Sequence, residues 1–224
     1  MTSTTAYWRL LQGKSFPSRC LPLGCAGLNH LTVPSPNPWE ERYQSGDTHW
    51  DKGQPAPGLV EFLREHPELP RGSVAIPGCG YGHDVRAWAA HGFQATGFDI
   101  APSAIGGANG HPANEGSAAR FVLADFLNGS PPGPFDYVFE HTLFCAIQPA
   151  QRDAYVEALL RWLRPGGTYL AIHYILCDGE PPFPVDRAEL WQRFRPHFHL
   201  IDQWIPRSYS NRVGRELMSW WRRK

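Results

Sequence analysis

Val74-Ala75-Ile76-Pro77-Gly78-Cys79-Gly80-Tyr81-Gly82-His83-Asp84 is the stretch that decides the fold. Its apolar start reads as a strand, its glycines as a tight turn and its polar end as the opening of a helix. Glycine lets a backbone approach a ligand closely, and a helix start offers N–H groups that have no partner within the helix. A ligand is therefore expected at this bend, against Gly78 and Gly80. The spacing is Gly-x-Gly-x-Gly, and His83 stands where a dinucleotide-binding loop needs its last glycine, which disfavours a pyrophosphate. A plain tight turn is the competing reading.

On both sides of this stretch, short apolar runs alternate with helical patterns. Residues 59–66 read as a helix, 73–77 as a strand, 84–91 as a helix, 95–98 as a strand, 102–108 as a short helix and 121–124 as a strand. A fourth strand at 135–140, an amphipathic helix at 150–163 and a fifth strand at 168–175 follow, with Arg164-Pro165-Gly166-Gly167 as the break between the last two. A Pro-rich loop at 180–184 and a helix at 185–194 come next. The β-rich runs 198–204 and 216–221 then lie close enough to pair as an antiparallel hairpin at one sheet edge. The expected fold is α/β, with a mostly parallel seven-stranded sheet and a C-terminal antiparallel hairpin.

A chain of 224 residues, 42% hydrophobic, is long enough to bury one substantial core, so one domain over residues 37–224 is expected. Basic and acidic side chains number 21 each, and a formal charge of zero leaves no global field for nucleic acid or an anionic membrane. A small-molecule partner is expected instead. No apolar run approaches the roughly 18 residues that span a bilayer, and no basic start leads into an apolar core, so the expected location is the cytoplasm. Residues 1–36 are basic, acid-free and without period. They read as an extension, with a targeting peptide or a lid segment as alternatives. Cys20, Cys25, Cys79, Cys145 and Cys177 show no Cys-x-x-Cys pairing and read as reduced thiols, not as a zinc site or a disulfide frame. His197 and His199 alternate as the polar face of a strand would, so no metal is expected.

The second strand runs into Asp99, 21 positions after Gly78. A carboxylate at that distance emerges beside the glycine turn and can accept hydrogen bonds from both hydroxyls of a ribose; helix capping ahead of Pro102 is the alternative. The third strand runs into Asp125-Phe126. That pair offers an acceptor for an exocyclic amine and a ring for the adenine face. A loop acid beside a core phenylalanine is the alternative.

Three stretches of the chain carry a resemblance. Trp39-Glu40-Glu41-Arg42-Tyr43-Gln44-Ser45-Gly46-Asp47-Thr48-His49-Trp50-Asp51-Lys52-Gly53 precedes the core, Pro77-Gly78-Cys79-Gly80 lies within it, and Phe135-Asp136-Tyr137-Val138-Phe139-Glu140-His141-Thr142-Leu143-Phe144-Cys145-Ala146-Ile147 follows. Together they resemble the thiopurine S-methyltransferase family, and especially its thiol and halide methyltransferase branch, over about residues 37–224. The resemblance implies a Rossmann-like class I methyltransferase fold with S-adenosylmethionine as cofactor. It also implies a lid over residues 37–58 whose Trp39, Tyr43 and Trp50 cover the sulfonium, aromatic faces being attractive to a cation. The thiol branch usually has tryptophan where Tyr43 stands. Glu140 and His141 are implied to face the methyl group, with Glu140 on the cofactor side. His141 stands where thiopurine enzymes tend to carry arginine and plant thiol or halide enzymes tyrosine. Tyr174 matches a tyrosine near the acceptor in that branch.

The residues expected at the acceptor are therefore His141, Phe144 and Tyr174, with catalytic roles for His141 and Tyr174. Histidine either accepts a proton from a thiol, holds an anion in line or forms a pocket wall. Methyl transfer from a sulfonium is a direct displacement, so alignment and water exclusion are expected to dominate, and Cys79 and Cys145 read as small core residues. The expected acceptor is a small thiol or a halide-like ion. A nicotinamide-dependent oxidoreductase and a non-catalytic nucleoside-binding module are the competing classes.

Overall fold

The computed structural model describes residues 37–175 and 181–224. The expectations for residues 1–36, for Cys20, Cys25 and Cys177, and for Glu180 in the Pro-rich loop fall outside them. The elements run α1 (Pro38–Ser45), α2 (Pro57–Glu65), β1 (Ser73–Pro77), α3 (His83–Ala90), β2 (Gln94–Asp99), α4 (Pro102–Asn109), β3 (Arg120–Leu123) and β4 (Phe135–His141). They continue with α5 (Arg152–Trp162), β5 (Leu163–Tyr174), α6 (Arg187–Phe194), β6 (Phe198–Trp204) and β7 (Glu216–Arg223). The sheet has seven strands in the order β3-β2-β1-β4-β5-β7-β6. β1 to β5 pair in parallel, and β7 runs antiparallel to both β5 and β6. This is the expected sheet and hairpin, with β6 as the edge strand.

Apolar clusters line both faces of the sheet, which is why β1 is buried along nearly its whole length. On one face α2 and α3 contribute Leu59, Phe62, Val85 and Trp88; on the other α5 and α6 contribute Tyr155, Leu159, Trp162, Leu190 and Phe194. Trp88 and Trp162 are fully buried, and replacing either by alanine is expected to cost roughly 3–5 kcal/mol.

Two local readings are corrected. Arg164-Pro165-Gly166-Gly167 lies within β5, not before it: Leu163 pairs with Phe135, and the ladder then jumps to Thr168 opposite Tyr137. The proline and glycines make an irregularity in the ladder instead of ending it. Residues 38–45, read only as an aromatic segment, form a helix, because Asn37 caps it by accepting from the N–H groups of Trp39 and Glu40 and proline opens its first turn. His199 stands exposed on β6, with His197 exposed just before it. Among the described residues, no helix is long and apolar enough to cross a membrane.

Candidate active site

Parallel strands place their C-terminal ends, and the turns that follow, at one edge of the sheet, where ligands bind in folds of this kind. Gly78, Gly80 and Gly82 in the turn after β1 have φ of 63, 52 and 80°, the left-handed region that glycine enters without penalty. At Gly82 space also demands glycine, because a Cβ there would meet the Phe121 ring at 2.2 Å. Asp99, at the end of β2, comes to this turn: its Oδ2 accepts from the Gly80 N–H at 2.9 Å and its Oδ1 from the Ala101 N–H at 2.9 Å. Burial raises its pKa, against the lowering by those two N–H groups. Asp99 does not cap α4, whose N-cap is Ala101 with no side-chain bond.

α1 is fastened beside this turn. Asn37 donates to the Ile100 carbonyl at 2.6 Å, and Glu40 accepts from both the backbone N–H and the hydroxyl of Ser103, at 2.9 and 2.6 Å. Trp39, Tyr43 and Trp50 therefore gather with Tyr81, Ala101 and Ala104. The rings meet edge-on, with centroids 5.4 Å apart for Trp39 and Trp50, 5.6 Å for Tyr43 and Trp50 and 5.2 Å for Tyr43 and Tyr81. The Tyr43 hydroxyl stands 3.0 Å from where a Cβ on Gly80 would sit. The three aromatic residues and the glycine turn thus form one cluster.

Four of the expected site residues, Asp125, Phe126, Glu140 and Phe144, have their side chains engaged within the protein. The Asp125 carboxylate is taken up locally, accepting from the N–H groups of Leu127 and Asn128 and from the Asn128 amide. Phe126 is 4% exposed and packs on Tyr155 and Trp162. It is a core ring, so the alternative reading of that pair describes its side chains. Glu140 reaches the strand end, yet its carboxylate turns under the following loop, accepting from Leu143 at 2.7 Å and Phe144 at 3.2 Å. It is wholly buried, with Oε1 3.0 Å from Nδ1 of buried His173 but outside hydrogen-bond geometry. Phe144 likewise lies in the core, against Tyr155 and Phe194, under the Arg152 guanidinium.

His141 and Tyr174 come together with four residues to which the sequence reading gave no part in the acceptor site. Nδ1 of His141 lies 3.2 Å from Oδ2 of Asp84, and Nε2 lies 3.4 Å from Oε1 of Glu216. Arg212 reaches Glu216 at 3.2 Å, and its guanidinium sits 5.6 Å from the ring centroids of both Tyr174 and Tyr209. The Tyr209 ring stacks on His141 at 6.0 Å with 25° between planes. β-pairing explains the convergence: Tyr174 stands opposite Glu216 and His141 opposite Ile172. Burial opposes charge on His141, but the two carboxylates outweigh it and lift the imidazole to about 9. Burial likewise opposes charge on Glu216, and His141 and Arg212 still hold its pKa below the ordinary value.

Residues 35–203 match the family described as thiopurine S-methyltransferase. The chain belongs to that family. It is 32% identical to thiocyanate methyltransferase 1 of Arabidopsis thaliana over 208 residues, which is 90% of this chain and 91% of that one. It is also 32% identical to probable thiol methyltransferase 2 of the same plant, over 67% of this chain and 68% of the relative. Among solved structures, the Burkholderia thailandensis 1,6-didemethyltoxoflavin-N1-methyltransferase, with S-adenosylhomocysteine bound, superposes with a TM-score of 0.64 at 18% identity, over 84% of this chain and 86% of that one. The fold is that of a class I methyltransferase, and this member of the thiopurine S-methyltransferase family is an enzyme that uses S-adenosylmethionine. The oxidoreductase and non-catalytic readings of the glycine turn are thereby set aside.

The residues present suit that donor. A buried carboxylate beside a left-handed glycine turn fits ribose hydroxyls, and aromatic rings beside the turn fit a sulfonium. Of the residues the reading missed, Asp84 was quoted only as the end of the glycine stretch. Tyr209, Arg212 and Glu216 carry no motif; the β5–β7 pairing places Glu216, and the packing of the connection before β7 places the other two.

Proposed function

We propose that this methyltransferase acts on a small thiol taken as its thiolate, and that thiocyanate and halide ions belong to the same class of acceptor. The observation that carries the reading is His141, which sets each ring nitrogen against a carboxylate. An imidazole that donates through both nitrogens has no lone pair with which to take a proton. In that state His141 is a cation and not a general base, and it stands with Arg212 as two cations set against the two carboxylates of Asp84 and Glu216. An acceptor that loses its proton to water before it binds needs no base from this cluster, and the Arg212 guanidinium offers N–H donors to the resulting anion. The names of the thiol and thiocyanate relatives support acceptors of this kind.

S-adenosylmethionine supplies an electrophilic methyl group on sulfur. Toward it, Asp99 and the turn at Gly78 and Gly80 hold the ribose, the Asp125–Phe126 corner borders the adenine through its backbone, and Glu140 shapes the wall after β4. Residues 37–58 form the lid, where Trp39, Tyr43 and Trp50 cover the sulfonium and exclude water. Tyr174 lines the acceptor side. Holding acceptor and donor in line contributes about 7–11 kcal/mol in well-oriented systems.

An acceptor panel measured from pH 6 to 10 tests this reading, with sulfide, small thiols, thiocyanate, iodide and a thiopurine, and methylated products quantified by chromatography. Turnover with thiocyanate, which is ionised throughout, should be flat up to about pH 8 and fall near 9 as His141 loses its proton. No methylation of any thiol, of thiocyanate or of iodide anywhere in that range would contradict it.

A further inference from the structure

The connection between β6 and β7, residues 205–215, is seated tightly and points two side chains at the site. Pro206 packs against the first turn of α2: a Cβ on Gly58 would meet the Pro206 Cβ at 2.7 Å and the Arg207 carbonyl at 3.1 Å. From this seat Tyr209, 8% exposed, lays its ring over His141 and donates from its hydroxyl to the Gln54 carbonyl at 2.7 Å. Arg212 fills the space between the Tyr174 and Tyr209 rings and donates to the Trp50 carbonyl at 3.3 Å. Both side chains therefore touch the acceptor residues on one side and backbone of the lid on the other. Asp84 makes a third such bridge, accepting from the Ala56 N–H at 2.7 Å while facing His141.

We propose that Tyr209, held by Gln54 and backed by Arg212, sets the size limit on the acceptor. The inference rests on the acceptor reading given above. The phenol ring covers one face of His141, so an acceptor approaching that face meets the ring first. A ring sandwiched between a packed connection and the lid backbone cannot swing away without breaking the Gln54 bond and uncovering His141. Selectivity for small acceptors then comes from exclusion, not from a contact made with the substrate.

The test compares the wild type with Tyr209→Ala, Tyr209→Leu and Tyr209→Phe, using sulfide, ethanethiol and thiophenol. The readouts are kcat/KM and calorimetric binding of thiophenol to the S-adenosylhomocysteine complex. Tyr209→Ala should raise the thiophenol-to-sulfide ratio of kcat/KM at least tenfold and bring measurable thiophenol binding, whereas Tyr209→Phe, which keeps the ring but loses its bond to Gln54, should raise the ratio by only about threefold. Tyr209→Leu, which preserves apolar packing, takes the place of the alanine variant should that one not fold. An unchanged ratio in a folded variant that binds S-adenosylhomocysteine normally would overturn the size limit alone. Failure of the wild type to methylate any sulfur or halide acceptor would overturn the acceptor reading and the size limit with it.

Discussion

The proposed donor half and the proposed acceptor half of this site are built in opposite ways. The donor half comes chiefly from consecutive stretches: the turn after β1, the end of β2 and the aromatic helix α1 beside them. Its polar groups are mostly backbone N–H donors and one carboxylate, Asp99. The proposed acceptor half is assembled from side chains on four segments, at Asp84, His141, Tyr174 and residues 205–216, and holds two acids and two bases linked by salt-bridge distances. Backbone geometry binds a constant ligand and tolerates little variation. A side-chain cluster can be retuned residue by residue, which is where a family using one donor and many acceptors has room to diverge.

Four substitutions probe that division. Asp99→Ala should weaken S-adenosylhomocysteine binding about 100-fold by calorimetry, since two charge-assisted hydrogen bonds are lost at roughly 1.5 kcal/mol each; acceptor selectivity should not change. Arg212→Ala should lower kcat/KM for thiocyanate about 30-fold through loss of one cation, with donor affinity changed less than threefold, and equal losses in both would erase the boundary between the halves. Glu216→Gln should move the alkaline limb of the pH profile down by about one unit. The sign follows from His141, whose pKa of about 9 in the folded chain exceeds the ordinary 6.5. Its stabilising contribution is full below pH 6.5 and is lost as pH rises through about 9, and removing one carboxylate shifts that loss to lower pH. The smallest effect is expected for Phe126→Leu: about 1 kcal/mol less stable in urea unfolding, with donor affinity within twofold, because the ring belongs to the core.

Legibility in the sequence followed the same division. The strand, turn and helix around Gly78–Asp84 and the placement of Asp99 beside Gly80 were readable because local spacing dictates them. The hairpin at the sheet edge was readable from two β-rich runs. The burial of Phe126 and Phe144 was not legible, because an aromatic residue at a strand end looks the same whether it faces a pocket or the core. Only packing against Tyr155 decides between them. Glu140 was placed at the correct strand end, but the direction of its carboxylate depends on the loop at Thr142–Phe144, where Thr142 adopts φ of 63°. Arg212 and Glu216 stood in a segment without a motif. The place of Glu216 depends on the register between β5 and β7, and that of Arg212 on the path of the preceding connection, neither of which periodicity specifies.

The most direct test is a crystal structure with S-adenosylhomocysteine and thiocyanate bound together. The account predicts the ribose on Asp99, the aromatic rings of α1 and Trp50 over the donor sulfur, and the thiocyanate within hydrogen-bond reach of Arg212 or His141, in line with that sulfur. An anion bound away from both cations, or a nucleoside bound away from the glycine turn, would contradict it.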